Sequence, residues 1–232
     1  MRRLAGIAVI VSIVCALAGP ACADALVEKT RSQLSLVKDY TCDLTLNARL
    51  PQMSVSSMKM TLYYKRPNKI HIEAKEGFAM LPEEGLYIGD PVEEVLSKYT
   101  LVHLGDIVWQ GKKCAKYGLR AKSDAVPPLA KASVYIDKVT ATPAGFTGAS
   151  PNFGEITTVF TYQKLQGRFW LPAATTLSIR NMMSVRHDRS TQPGRGSAQI
   201  AYTNYKINSG LPDSLFKTPA KPVSKMRKHP HP

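Results

Sequence analysis

Between Ser56 and Lys75 the sequence SSMKMTLYYKRPNKIHIEAK alternates apolar and polar positions on both sides of a Pro-Asn pair. Met58, Met60, Leu62 and Tyr64 share one face, and Lys59, Thr61, Tyr63 and Lys65 the other. Past the turn, Ile70, Ile72 and Ala74 oppose His71, Glu73 and Lys75. A period of two predicts a hairpin with one apolar and one wetted face, and Pro67-Asn68 supplies its turn. The apolar face is rich in methionine, whose flexible thioether adapts to irregular neighbours. An ordinary sandwich core would carry the same signature.

The pattern before the hairpin changes period once. From Asp24 to about Lys38, Leu26, Val27, Thr30, Leu34 and Val37 recur at three- and four-residue steps, which predicts an amphipathic helix. In YTCDLTLNARL the period drops to two, with Tyr40, Cys42, Leu44, Leu46, Ala48 and Leu50 on one face. Beyond the hairpin, Phe78, Met80 and Leu81 fall in a stretch broken by Gly77, Pro82 and Gly85. Asp90 then reads as an N-cap, with Pro91 in the first turn, Glu93 three residues on, and Val92, Val95, Leu96 and Tyr99 as an apolar stripe. Strands are predicted at 101–104, 113–119, 132–138, 155–165, 169–171, 175–183 and 198–207, punctuated by glycine and proline. Many strands and few helices place the chain in the α+β class, with a large antiparallel sheet. No internal repeat and no linker precedes residue 217.

The first residues change where such a domain is expected to work. Arg2 and Arg3 precede an apolar run, Leu4 to Ala18, and Ala21-Cys22-Ala23 has the small-x-small form of a leader cleavage site. A signal peptide over residues 1–23, cut after Ala23, is expected, with acylation at Cys22 as the competing reading. The run is short for a permanent anchor, and an exported, periplasmic and soluble product follows. Removing residues 1–23 takes two arginines and no acid from a chain of net charge +14. Residues 217–232 hold Lys217, Lys221, Lys225, Arg227 and Lys228 among four prolines, with no acid and little to bury. A disordered basic tail is predicted there, suited to an anionic membrane surface or acting only as a solubilising tail. Nucleic acid is not expected of an exported chain without aromatic interleaving. Cys42 and Cys114 are the two cysteines left after the leader. In an oxidising compartment they are expected to pair, two buried free thiols being the alternative.

The chemistry-bearing motifs of common enzymes are missing. There is no G-x-S-x-G, no H-E-x-x-H and no P-loop. Ser35-Leu36-Val37-Lys38 matches S-x-x-K without its companion motifs, and His71, His103 and His187 lie apart. No catalytic residue, metal site or cofactor is assigned, and an exported hydrolase is the weakest alternative.

Four places in the chain resemble the LolA/LolB-type lipoprotein carriers, the outer-membrane lipoprotein-sorting superfamily. They are the leader followed by an amphipathic helix, the hairpin YYKRPNKIHIE, the run Phe169-Trp170-Leu171-Pro172, and NYKINSGLPDSLF from Asn204 to Phe216. The resemblance implies a lipid- or lipoprotein-binding domain over residues 24–216. Its fold would be a half-open antiparallel β-barrel around an apolar cavity, with a few helices as lid. Its task would be to shield acyl chains across an aqueous compartment, as a monomer without cofactor, between donor and acceptor envelope proteins. An RseB-like periplasmic lipid sensor is the alternative within the same fold. The alternation then assigns Leu44, Leu46, Met58, Met60, Leu62, Ile70 and Ile72 to the cavity wall, and Phe78, Met80 and Leu81 to its mouth. A one-residue slip in register would invert that assignment. The resemblance also implies that Arg66 bonds to the lid, with Glu73, Glu93 or a tail carbonyl as other partners. The segment 85–110 departs from the carriers' pattern, lacking their Asp-Gly-Lys-Thr-Leu-Trp turn and carrying Gly89-Asp90-Pro91 and a helix instead.

Overall fold

Helix α1 (Pro20–Ser35) opens the computed structural model, which describes residues 20–50, 53–74, 91–123, 130–150, 154–183 and 193–217. The helix starts with Pro20, whose fixed φ suits a first turn. It buries Val27, Thr30 and Leu34 along one stripe and leaves Glu28, Lys29 and Arg31 in solvent. Buried Thr30 is satisfied by donating from Oγ1 to the Leu26 carbonyl, 2.9 Å away. The helix stops at Ser35 rather than Lys38 because the next residues are recruited elsewhere: Lys38 N–H donates to Asn208 Oδ1 at 2.7 Å.

Among the described residues ten strands follow, interrupted by one helix. They are β1 (Asp39–Leu50), β2 (Met53–Lys65), β3 (Lys69–Ala74), α2 (Pro91–Lys98), β4 (Tyr99–Trp109), β5 (Lys112–Ala121), β6 (Ala130–Asp137), β7 (Pro143–Ser150), β8 (Gly154–Leu165), β9 (Phe169–Met183) and β10 (Pro193–Ile207), with a short 3-10 turn at Asp213–Phe216. All ten form one antiparallel sheet in the order β3-β2-β1-β10-β9-β8-β7-β6-β5-β4. Adjacent strands are consecutive in sequence except at the centre, where β1 lies beside β10. The sheet ends on β3 and β4, so it is an open curled sheet and not a closed barrel.

Register fixes which side chains share a face, because residues directly opposite one another project the same way. Leu62 faces Cys42, and Met60 faces Leu44, which faces Tyr202 in turn. Ile200 faces Thr175, Leu177 faces Thr158, Thr158 faces Phe146, Phe146 faces Val134, and Val134 faces Tyr117. A single inner face therefore runs across the sheet, and both helices pack on it. A bulge in β2 keeps that face apolar: Ser57 takes φ +54° and donates its N–H to Asn47 Oδ1. Val55 thereby lands opposite Ala48 while Met58 stays opposite Leu46.

Two expectations from sequence are corrected here. Residues 143–150, passed over because of Pro143, Gly145 and Gly148, form the full strand β7. At Gly145 a Cβ would fall 2.0 Å from the Trp109 ring, so the missing side chain makes room for that indole, which stacks on Tyr135 at 4.4 Å. Cys42 and Cys114 are free, buried thiols and not a disulfide. Cys42 is on the inner face with Leu44, whereas Cys114 alternates with inner-facing Ala115 and packs outside with Tyr135 and Ala144. Sulfurs on opposite faces of one sheet cannot reach bonding geometry.

Candidate functional site

Two apolar clusters divide the inner face. One lies under the helices: Val27 of α1 and Val95 of α2 pack with Tyr99, Ala115, Tyr117, Ala132, Val134, Ile136 and Phe146. Arg31 Nε links the helices by donating to Glu93 Oε1 at 2.9 Å, and Gln33 Nε2 donates to the carbonyls of Thr140 and Ala141. Helix α1 is thus fixed to its neighbour helix and to the β6–β7 turn.

The other cluster is made by β1, β2, β9 and β10, with Val37 from the corner after α1, and no residue of either described helix belongs to it. Leu44, Leu46, Met60 and Leu62, four of the residues assigned to the wall from sequence, are buried together there, Leu46 and Leu62 at 0 % exposure. Met58 and Ile72 are half-buried against the cluster. Ile70 faces Tyr64 on the same side but stands 41 % exposed near the strand end. Phe78, Met80 and Leu81 lie outside the described residues. The structure adds Leu171, Leu177, Ile179 and Ile200. Their alternation is visible in the sequence, but their place beside Leu44 depends on the β1–β10 pairing, which no local pattern specifies.

One end of this cluster is aromatic and slightly polar. Tyr40 packs against Tyr64 (5.0 Å between ring centroids) and edge-on against Tyr205 (5.4 Å). Tyr205 donates its hydroxyl to the Pro172 carbonyl at 2.7 Å, and the Tyr202 hydroxyl lies 3.2 Å from Thr175 Oγ1. Burial raises the Tyr40, Tyr202 and Tyr205 hydroxyls, Tyr202 to about 12, and pushes the Cys42 thiol up to about 12. All four stay neutral at physiological pH. The Tyr40 hydroxyl is buried and finds no hydrogen-bond partner among the described residues.

The short motifs noted in the sequence meet at one corner. Buried Asp39 accepts from Ser209 N–H (2.8 Å), Ser209 Oγ (3.3 Å) and Gly210 N–H (3.1 Å to Oδ2). Asn208, at φ +55°, donates Nδ2 to the Leu36 carbonyl. The hairpin turn joins them: Arg66 N–H donates to the Lys38 carbonyl, and Arg66 Nε donates to the Val37 carbonyl at 3.1 Å. The peptide between Arg66 and Pro67 is cis. Lys65 and Lys69 hold Asp213 at 2.7 and 2.9 Å, and their hydrogen bonds hold its carboxyl down at about 2. Arg66 therefore binds the corner that ends α1, through a backbone carbonyl.

No protein-family model matches the sequence, and no curated protein matches it. Solved structures do match in three dimensions. A LolA superfamily protein from Nitrosomonas europaea aligns with TM-score 0.56 at 10 % identity, over 84 % of this chain and 97 % of that one. The chain has the LolA fold. A domain described as an outer membrane lipoprotein-sorting protein, from Vibrio parahaemolyticus, aligns with TM-score 0.55 at 12 % identity, over 83 % of this chain and 95 % of that one. A DUF1329 family protein from Desulfovibrio piger aligns equally well, with TM-score 0.55 at 12 % identity and the same coverage. Among the described residues there is no group of three His, Cys, Asp or Glu side chains placed to hold a metal ion, and no helix long and apolar enough to cross a membrane.

Proposed function

We propose that this LolA-fold chain is an exported periplasmic carrier that shelters the acyl chains of a lipid or lipoprotein against the strand-only half of its inner face, on the way to the outer membrane. The observation that carries the proposal is the composition of that half: Leu44, Leu46, Met60, Leu62 and Ile200 form one apolar cluster to which neither described helix contributes a side chain, although α1 runs beside β9. Half-buried Met58 and Ile72 form its accessible margin. Phe78, Met80 and Leu81 are assigned to its mouth, and Arg66, through Val37, to holding the α1 corner as part of the closure.

The energetics suit such a task. Burying one methylene is worth ~0.8 kcal/mol, so a sixteen-carbon chain is held from water by roughly 12 kcal/mol gross. A cargo of that kind does not cross an aqueous compartment alone. Release requires only an acceptor that offers similar burial, so no catalytic group, cofactor or nucleotide enters this reading.

Native mass spectrometry of the protein purified from the cell envelope without detergent tests it. A co-purifying lipid or acylated peptide, lost in Met58→Asp while that variant stays folded, is the expected outcome. Met58 suits this better than Met60, because a charge at 5 % exposed Met60 would also cost folding stability. A protein that stays unliganded after incubation with phospholipid and lipopeptide would overturn the proposal.

A further inference from the structure

In a meander of antiparallel strands every second connection falls at the same end of the sheet. The turns β4–β5 (Gln110-Gly111), β6–β7 (138–142), β8–β9 (166–168) and β2–β3 (66–68) therefore share one end with the corner after α1 and with the end of β10. Direct contacts agree with this placement. Lys138 N–H bonds to the Lys113 carbonyl, Arg66 N–H to the Lys38 carbonyl, and Asn208 N–H to the Asp39 carbonyl.

Of the six large apolar residues that stand exposed among the described residues, five lie at this end: Leu36, Ile70, Ile107, Val108 and Val139. Val108 and Val139 are 70 % and 77 % exposed. They flank the contact between Lys113 and Lys138, so two apolar tips sit beside two exposed ammonium groups. Lys38, Lys164, Arg168 and Lys206 are exposed at the same end.

The acids there are already engaged. Asp106 pairs with Lys138, and Asp213 pairs with Lys65 and Lys69. Asp39 is buried under the Ser209–Gly210 backbone, and buried Asp137 accepts from Val139 N–H inside its own turn. What faces outward is a surplus of cations around exposed aliphatic side chains. The 3-10 turn is fastened to this end by Lys65 and Lys69, and Lys217 follows it directly.

We propose that this end of the sheet is a docking face for an anionic lipid bilayer, Val108 and Val139 entering the interface while the surrounding lysines and Arg168 meet the headgroups. Charge complementarity chooses the partner, since the cations at this end outnumber acids that are already bonded within the fold, and such a surplus attracts a negative surface. The aliphatic tips suit an apolar layer just beneath those charges. The inference stands apart from the carrier proposal, because it concerns the turns at one end of the sheet and not the apolar cluster of β1, β2, β9 and β10.

Co-sedimentation of the protein purified from the cell envelope tests it, using phosphatidylcholine vesicles with and without phosphatidylglycerol. Sedimentation only with the anionic vesicles, reversed by salt, is expected. Val108→Ser with Val139→Ser should weaken it about tenfold, and Lys112→Gln with Lys113→Gln by a similar factor. All four positions lie at a hairpin tip or turn, and circular dichroism confirms that the variants fold. A chain ended after Lys217 should retain most of the binding, and Met58→Asp all of it. Loss of all binding on removing the tail, or wild-type binding by the double serine variant, would overturn the proposal. So would absence of vesicle binding alongside capture of polyglutamate, which would point to an acidic protein instead.

Discussion

The two halves of the inner face are built by the same alternation but closed in different ways. Under α1 and α2 the sheet's aliphatic side chains are short, Ala115, Ala132, Val134 and Ile136, and stand among the rings of Tyr99, Tyr117 and Phe146. On β1, β2, β9 and β10 it presents longer ones, Leu44, Leu46, Met60, Leu62, Leu171 and Leu177, with three tyrosines at one end. The halves thus differ in what joins them: side chains of α1 and α2 enter the first cluster, and none from either described helix enters the second. A surface of large, flexible apolar groups can rearrange around a guest, whereas close-packed interiors resist any change of volume.

The strongest way to break this contrast is to truncate one residue in each half. Ile136→Ala, at a fully buried position under the helices, should cost about 2–5 kcal/mol in urea unfolding, and added acyl lipid should leave that loss unchanged. Leu46→Ala, equally buried in the free protein, should cost a similar amount, with part of the loss recovered when lipid is present. Equal costs, both indifferent to lipid, would make the halves equivalent and remove the basis for placing a guest in one of them.

A second, smaller effect concerns the corner where the halves meet. Asp39→Ala strands the N–H groups of Ser209 and Gly210 that now end on its carboxylate, and should cost about 2 kcal/mol. A cost near zero would show that the C-terminal segment is only laid against the corner.

Smaller still is the acid response of the Asp213 clasp. Its carboxyl is held at about 2 by Lys65 and Lys69, below its ordinary value of 3.8, so its contribution is complete above that value and fades as pH falls toward 2. The unfolding midpoints of wild type and Asp213→Asn should differ slightly at neutral pH and converge over that window. A gap that persists at pH 2 would locate the effect elsewhere.

The smallest expected effect is none at all. With Cys42 at about 12, raised by burial, and Cys114 raised for the same reason, neither thiol should react with a disulfide reagent at about pH 8 until the protein is unfolded. Reductant should leave the melting temperature where it is. A drop on reduction would mean that the sulfurs are bonded after all.

Much of this architecture was legible in the chain. The alternation over Tyr40–Leu50 and Met58–Ala74 placed β1, β2 and β3 with the correct faces, and the Pro91 start marked α2. What escaped was non-local. Strand β7 hides behind Pro143, Gly145 and Gly148 because the reason for Gly145 is the ring of Trp109, thirty-odd residues away. Strand β9 runs unbroken through Pro172, which read as a stop, because an irregularity opposite Thr161 and Tyr162 absorbs it. The pairing of Cys42 with Cys114 looked reasonable by compartment and count, yet their faces are set by a register carried across seven strands. Of the assigned wall residues, the structure gathers Leu44, Leu46, Met60 and Leu62 into one cluster and leaves Ile70 exposed. The mouth residues Phe78, Met80 and Leu81 fall outside the described residues.

The ladder between β1 and β10 has a consequence for biosynthesis. It joins the first strand of the sheet to the last, so the middle of the sheet cannot form until the C-terminal strand has been delivered. A chain stalled before Pro193 would present β1 and β9 as two long, raw strand edges lined with leucine and isoleucine. Early termination in this protein should therefore yield aggregates and degradation products rather than a shortened working domain, and a chaperone or protease of the receiving compartment would meet it first.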